Sequence, residues 1–199
     1  MKLLIATSNP GKVREFKELL ADLPFDVVTP VEAGLTLVVE EDGETYRENA
    51  AKKASAYSKA SGLVCIGDDS GLEVAVLDGA PGLYSARFSP KPGATDADRR
   101  QYLLEKLAGS AKPWKAKFHA TVAIGFPDGR VEFTVGECHG EIIDEQRGQN
   151  GFGYDPLFLI PELGKTMAEL TPSEKNQLSH RARAVINAIP ILLSTLGNK

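Results

Sequence analysis

The chain has 199 residues, 42% hydrophobic and 25% charged, proportions of a globular domain that exclude a disordered or fibrous protein. A chain of this size buries about 70% of the surface its unfolded form exposes, so it needs no disulfide or structural metal, and residues 1–199 read as a single domain. Twenty-three basic against 27 acidic residues leave a formal charge of −4, which does not attract nucleic acid or anionic lipid over long range; a polyphosphate partner then needs a local basic site.

The two cysteines, Cys65 and Cys138, form no CxxC or Cys/His cluster of zinc-ligand spacing, and Cys65 lies in an apolar run as a reduced core thiol. The apolar start Leu3–Ala6 is too short for a signal peptide or a membrane span, and Pro190 interrupts the apolar stretch near the C-terminus. A soluble, cytoplasmic protein with no membrane and no nucleic-acid partner is expected.

Lys2–Ala6 predicts a strand, Ser8-Asn9-Pro10-Gly11 a turn, and the stripe Val13, Phe16, Leu19, Leu20, Leu23 a helix. Phe25–Thr29 and Leu35–Val39 are the next strand candidates. Thr45 three residues before Glu48 is a capping box opening an Ala-rich helix that Gly62 ends. Leu63–Ile66 reads as a buried strand running into a turn at Gly67–Gly71, with Leu72–Val76 a second strand and Asp78-Gly79 a tight turn. Thr95 and Asp98 cap a helix with the stripe Tyr102, Leu103, Leu107. Alternation at Phe118–Phe126 and Val131–Val135 around Pro127-Asp128-Gly129 predicts a hairpin, which Glu141–Asp144 extends as another strand. A Gly-rich loop (146–156), a strand at Leu157–Ile160, a capping box at Thr171–Glu174 and a helix capped by Ser179 and kinked or shortened at Pro190 complete the chain. Interspersed helices and strands around a hairpin mean α/β with a mixed sheet.

Thr7-Ser8-Asn9-Pro10-Gly11-Lys12 sits between a strand and a helix N-terminus, where free N–H groups and the helix dipole favour a phosphate. The stretch fits neither the GxxxxGK[ST] nor the GxGxxG pattern, and alone it is equally an ordinary turn and cap. Glu40-Glu41-Asp42 by itself reads as solvated surface. Asp68-Asp69, after a buried strand and flanked by glycines, reads as a strand's carboxyl end, where α/β sheets place ligands; hard oxygen ligands there suit Mg²⁺. The alternative is an Asx-turn closing the loop. Gly151-Phe152-Gly153-Tyr154-Asp155 sets two rings among glycines, which suits either stacking of a base or covering of the core. Lys175 and His180-Arg181 lie on helical sequence, where exposed basic residues are ordinarily solvated, and His119 is simply a strand residue.

Taken together, these segments resemble the inosine triphosphate pyrophosphatase family along nearly the whole chain. The resemblance rests on Thr7-x-Asn9-x-x-Lys12, Glu41, Glu48-Asn49-Ala50 with Lys53, Asp68-Asp69-Ser70-Gly71-Leu72 and Gly79-Ala80-Pro81-Gly82-x-Tyr84-Ser85-Ala86-Arg87. It continues through Gly151–Pro156, Gly164-Lys165-Thr166, Glu169-Leu170-Thr171, Glu174-Lys175 and Ser179-His180-Arg181. Ser8, where relatives often carry glycine, is a mild variation.

The resemblance implies an elongated mixed β-sheet flanked by helices, two lobes around a central cleft, and a homodimer. It implies cleavage of deaminated purine nucleoside triphosphates (ITP/dITP, XTP/dXTP) to the monophosphate and pyrophosphate. Asp69 is then the general base, and Glu41 and Asp69 hold Mg²⁺. Thr7, Ser8, Asn9, Pro10, Gly11 and Lys12 cradle the polyphosphate with Lys53 and Ser70; Phe152, Gly153, Tyr154, Asp155, Lys175, His180 and Arg181 surround the base. Asp68 ranks below Asp69 in direct role. The Phe152–Asp155 loop and Ser179-His180-Arg181 argue against the related septum-inhibitor-type pyrophosphatases. Joint presence of Lys12, Glu41, Lys53 and Asp69 argues against a silent nucleotide sensor, and the acidic charge against an RNA-binding module.

Overall fold

The computed structural model describes residues 1–196. Among them, strands β1 (Lys2–Ile5), β2 (Asp26–Val28), β3 (Val64–Val74), β4 (Trp114–Gly125), β5 (Val131–Ile142), β6 (Phe158–Ile160) and β7 (Lys165–Thr166) form one seven-stranded sheet. Its order is β2-β1-β3-β4-β5-β6-β7. β1 pairs parallel with β2 and β3, whereas β6 pairs antiparallel with β5 and β7, so the sheet is mixed as expected. The helices are α1 (Pro10–Leu19), α2 (Tyr46–Ser61), α3 (Asp96–Leu107), α4 (Pro172–Leu178) and α5 (His180–Leu196).

The chain divides into two compact units, each discontinuous in sequence: Met1–Asp69, Ala120–Gly136 and the segment from His180 make the first, Ser70–His119 and Glu137–Ser179 the second. In the first unit the two-residue period of the strands sorts side chains to opposite faces. Leu3, Ile5, Ile66, Val122 and Ile124 meet Phe16 of α1, Leu20 at its C-cap, and Val185, Ala188 and Leu192 of α5. The intervening Leu4 and Cys65 meet Tyr57, and Ala123 meets Ala50 and Ala54, all on α2. In the second unit one face of the strands (Leu72, Val74, Trp114, Ala116, Phe118, Ile142) packs with Leu103 and Leu107 of α3 and with Tyr154, Phe158 and Leu170. The other face carries Glu73, Lys117, His119 and Glu137, joined by ion pairs, the pattern of a sheet with one polar side.

The local caps mostly form as predicted. Thr95 with Asp98 and Thr171 with Glu174 make reciprocal capping boxes at α3 and α4. At α2, Thr45 accepts from the Glu48 amide, but the Glu48 carboxylate takes the Glu44 N–H instead of closing the box on Thr45.

Three expectations are corrected. Leu35–Val39 is irregular: the sheet ends at β2, Val38 is 91% exposed, and Leu35 and Val39 cover Leu4 and Tyr57 without a ladder. The Tyr57 hydroxyl instead donates to the Leu37 carbonyl at 2.8 Å. Gly67–Gly71 is no turn, because β3 runs unbroken from Val64 to Val74. β1 ends at Ile5, opposite Ile66, but twelve-residue β4 remains beside β3 and keeps it extended. Pro190 neither ends nor shortens α5: it sits on the exposed side, and Val185, Ala188 and Leu192 on the buried side hold both halves in one core. The strand expected at Glu141–Asp144 is the far end of β5. No helix of the described residues is long and apolar enough to cross a membrane.

Candidate active site

Asp69 is oriented from α2. Asn49 and Lys53 lie one turn apart and share the face that Ala50 and Ala54 bury. Asn49 Nδ2 donates to Asp69 Oδ2 at 3.1 Å, while its Oδ1 accepts from the Gly43 amide at 2.8 Å, so one side chain sets both the carboxylate and the preceding loop. Lys53 Nζ lies 2.5 Å from Glu41 Oε2 and 3.9 Å from Asp69 Oδ1, a single ammonium between two carboxylates. Burial pushes the Asp69 carboxyl above its ordinary range, outweighing the Lys53 and Lys12 charges that pull it down.

Asp68 faces a different environment. Arg181 Nε and Nη2 donate to its Oδ2 at 3.0 and 2.9 Å, and Lys12 Nζ lies 3.1 Å from the same oxygen. Arg181 Nη1 donates to Glu15 Oε2 at 2.5 Å. Burial alone would raise Asp68, but the Arg181 and Lys12 charges overcome it and hold the carboxyl well below the usual range. Adjacent carboxylates are thus driven in opposite directions, one fixed as an anion and one poised nearer neutrality. Because side chains alternate along a strand, only a continuous β3 aims the two at different partners.

The start of α1 differs from the expected open phosphate cradle. Asn9 is its N-cap, and Asn9 Oδ1 already accepts the Gly11 and Lys12 amides at 2.9 and 3.1 Å. Pro10 has no N–H to offer, and the Asn9 amide donates to Thr7 Oγ1 at 3.2 Å. The Asn9, Gly11 and Lys12 amides are therefore engaged inside the turn, and the Lys12 ammonium pairs with Asp68. Ser70 follows Asp69 in β3 and belongs to the second unit.

In the second unit, Asp155 Oδ2 accepts from Lys175 Nζ at 2.6 Å and from the Phe152 amide at 3.0 Å. Lys175 Nζ also stands 5.2 Å from the centre of the Phe152 ring. Gly151 has φ +76°, and a Cβ there would lie 2.0 Å from Asp155 Oδ2, so the residue is confined to glycine by both backbone and space. Tyr154 is only 4% exposed and its hydroxyl donates to the Ser85 carbonyl at 2.9 Å, which anchors the loop.

The solvated reading of the C-terminal cations is overturned: Lys175, His180 and Arg181 are all buried. Arg181, 1% exposed, is engaged by Asp68 and Glu15 in the first unit. His180 opens α5, whose close approach to β5 relies on Gly136; a Cβ there would lie 2.2 Å from the His180 carbonyl.

Sequence reasoning missed Glu15 and Asn49 as parts of the site. Both carried a signal: Glu15 is an acid beside the apolar stripe of α1, and Asn49 shares the helix face of Lys53.

The Ham1 family model matches residues 3–191. A dITP/XTP pyrophosphatase of Thermus thermophilus is 47% identical over 186 residues, covering 93% of this chain and 88% of that protein. One of Desulforamulus reducens is 46% identical over 193 residues, covering 96% of each. The solved structure of a HAM1 protein from Coxiella burnetii has a TM-score of 0.87 at 40% identity, over 98% of this chain and 99% of that one. The resemblance carried by the motifs is borne out across nearly the full length, and the chain belongs to the Ham1 family.

Proposed function

We propose that this chain hydrolyses deaminated purine nucleoside triphosphates of the ITP, dITP and XTP class to the monophosphate and pyrophosphate, with Mg²⁺ as its metal. Relatives named dITP/XTP pyrophosphatase support the substrate class. The observation that carries the chemistry is the Asn49–Asp69–Lys53–Glu41 cluster, an oriented carboxylate of raised affinity for protons beside a cation.

Asp69 takes the proton of the attacking water; its raised carboxyl is a better base near neutrality than an ordinary one at about 4. Lys53 and Lys12 offset charge on the phosphates, and Lys12 can exchange its bond with Asp68 for one with a phosphate oxygen. Arg181 keeps Asp68 anionic throughout, so Asp68 does not compete for the proton.

The residues fit magnesium. Among the described residues no three acidic, histidine or cysteine groups form a closed cage, but Mg²⁺ asks only for one or two carboxylates and takes its remaining oxygens from water and substrate phosphates. The fully buried Asp68 Oδ1 has no hydrogen-bond partner among the described residues. Glu41 and Asp69 would hold the ion, which when bound supplies polarisation of phosphate and water.

For the base, Phe152 offers a face for stacking and Lys175 a buried donor held by Asp155. Such a donor suits the 6-oxo group of hypoxanthine or xanthine, whereas the 6-amino group of adenine would set donor against donor. A homodimer is part of this proposal and is tested by light scattering.

The test is product release from ITP, XTP, GTP and ATP with Mg²⁺, assayed separately for pyrophosphate and orthophosphate. Pyrophosphate from ITP and XTP, with little from GTP or ATP, is the expected result. Orthophosphate would overturn the bond assignment, and nucleotide binding without turnover would replace the enzyme with a sensor.

A further inference from the structure

We propose that Asp96 and Arg100, in the first turns of α3, are positioning residues that set where Phe152 meets the purine and thereby the preference among bases. This rests on the activity proposed above. Gly153 follows Phe152 in the chain, and both of its backbone groups are held from α3. Its amide donates to Asp96 Oδ2 at 2.7 Å, and its carbonyl accepts from Arg100 Nη1 at 2.7 Å. The first belongs to the peptide joining Phe152 to Gly153 and the second to the peptide after it, so the two planes on either side of Gly153 are both fixed.

The Asp155 amide also donates to the Phe152 carbonyl at 3.3 Å, so the first of these peptides is held from both of its edges. No atom lies within 4 Å of where a Gly153 side chain would stand, and its φ is +62°, so hydrogen bonds and not packing hold this point of the loop. Arg100 reaches further: its Nε donates to Gln146 Oε1 at 2.7 Å, gripping the start of the same loop with the same guanidinium. On the other side of Phe152, the Asn150 amide donates to the Ala168 carbonyl at 3.0 Å and Asn150 Nδ2 to the Leu170 carbonyl at 2.9 Å. Phe152, whose own amide donates to Asp155, thus lies between two further anchored points, and the one after it is made by two charged side chains of α3.

Asp96 is not needed to cap its own helix. Thr95 and Asp98 already form the reciprocal box, and the second Asp96 oxygen takes Arg99, which keeps the carboxylate turned toward the loop. Its carboxyl is lowered despite the opposing effect of burial, because the Gly153 amide and Arg99 both favour the charged form. A carboxylate with that geometry aims the loop; a helix cap would need neither the amide of Gly153 nor Arg100.

The test is steady-state kinetics with ITP, XTP and ATP on the full chain. Asp96→Ala and Arg100→Ala are expected to raise KM for ITP roughly tenfold with kcat within about twofold, since the first removes one charge-assisted bond to the loop and the second two, and neither touches the reacting groups. The ratio of kcat/KM for ITP over ATP should fall by a similar factor. Asp96→Asn and Arg100→Lys, which keep an acceptor and a donor, should recover most of the loss. Asp98→Ala, which weakens the α3 cap without touching the loop, should leave KM for ITP unchanged.

Equal shifts in Asp98→Ala and Asp96→Ala would overturn the proposal, because the effect would then run through helix stability. So would a loss confined to kcat. Should Asp96→Ala fail to fold, Arg100→Ala decides the matter. Turnover of ITP by the unmodified chain with unchanged KM in both variants removes this inference alone; no turnover of ITP or XTP by the unmodified chain removes the activity and this inference with it.

Discussion

Replacing Arg181 by methionine tests whether the buried charge network is real. Its guanidinium donates two hydrogen bonds to Asp68 and one to Glu15 from a position with 1% exposure. Methionine fills similar space but leaves two carboxylates in an interior built to neutralise them. Removing one member of a buried ion pair costs about 3–5 kcal/mol. Lys12, still 3.1 Å from Asp68, offsets part of the additional cost of abandoning a second carboxylate, so the same range is expected for the whole substitution. For a chain of this size that is a fall in Tm of roughly 6–20 °C. The assay is urea unfolding at pH 7 and at successively lower pH. In the unmodified chain the Asp68 carboxyl is depressed, so its contribution is present above its unfolded value of about 4 and is lost as pH falls through the folded value. Without Arg181, burial raises both carboxyls; they take up protons earlier, and the gap to the unmodified chain narrows as pH falls from 7 toward 4. A loss below about 1 kcal/mol, or a gap that stays constant over that range, would refute the network as a buried, mutually neutralising set.

Activity should rise with pH on the acid side as the Asp69 carboxyl loses its proton; an acid limb that persists unchanged in the residual turnover of Asp69→Asn speaks against Asp69 as the base. Asp69→Asn should lower kcat by about 10²–10⁴-fold, measured as pyrophosphate release, and retained turnover would discard the assignment. Gly151→Ala, with φ +76° and a Cβ 2.0 Å from Asp155 Oδ2, should cost roughly 1–3 kcal/mol in urea unfolding and raise KM for ITP; an unchanged midpoint would mean that the loop yields freely. Chelation by EDTA should abolish turnover, and added Mg²⁺ should restore it; turnover that survives exhaustive chelation would remove the metal from the mechanism.

The features legible in the sequence are those whose partners lie a few residues away. Thr95 with Asp98 and Thr171 with Glu174 signal helix starts because the hydrogen bonds they make close over three residues. The alternation Ala120, Val122, Ile124 is visible because a strand's period shows in any short window, and the α/β class follows from the succession of such windows. The ordered motifs, from Thr7-x-Asn9 to Ser179-His180-Arg181, were enough to name the family without coordinates.

What the tertiary structure decided depended on distant chain. Gly67–Gly71 has the composition of a turn, and only β4 alongside makes it strand, which turns Asp68 and Asp69 toward different partners. Leu35–Val39 has the composition of a strand but no neighbour to pair with. Arg181 is a helical cation that any local rule sends to solvent, yet its partners Glu15 and Asp68 lie 166 and 113 residues away. Local hydrogen bonding is written in neighbouring residues, whereas burial and charge pairing depend on which remote segments the fold brings together, and a window of sequence contains neither.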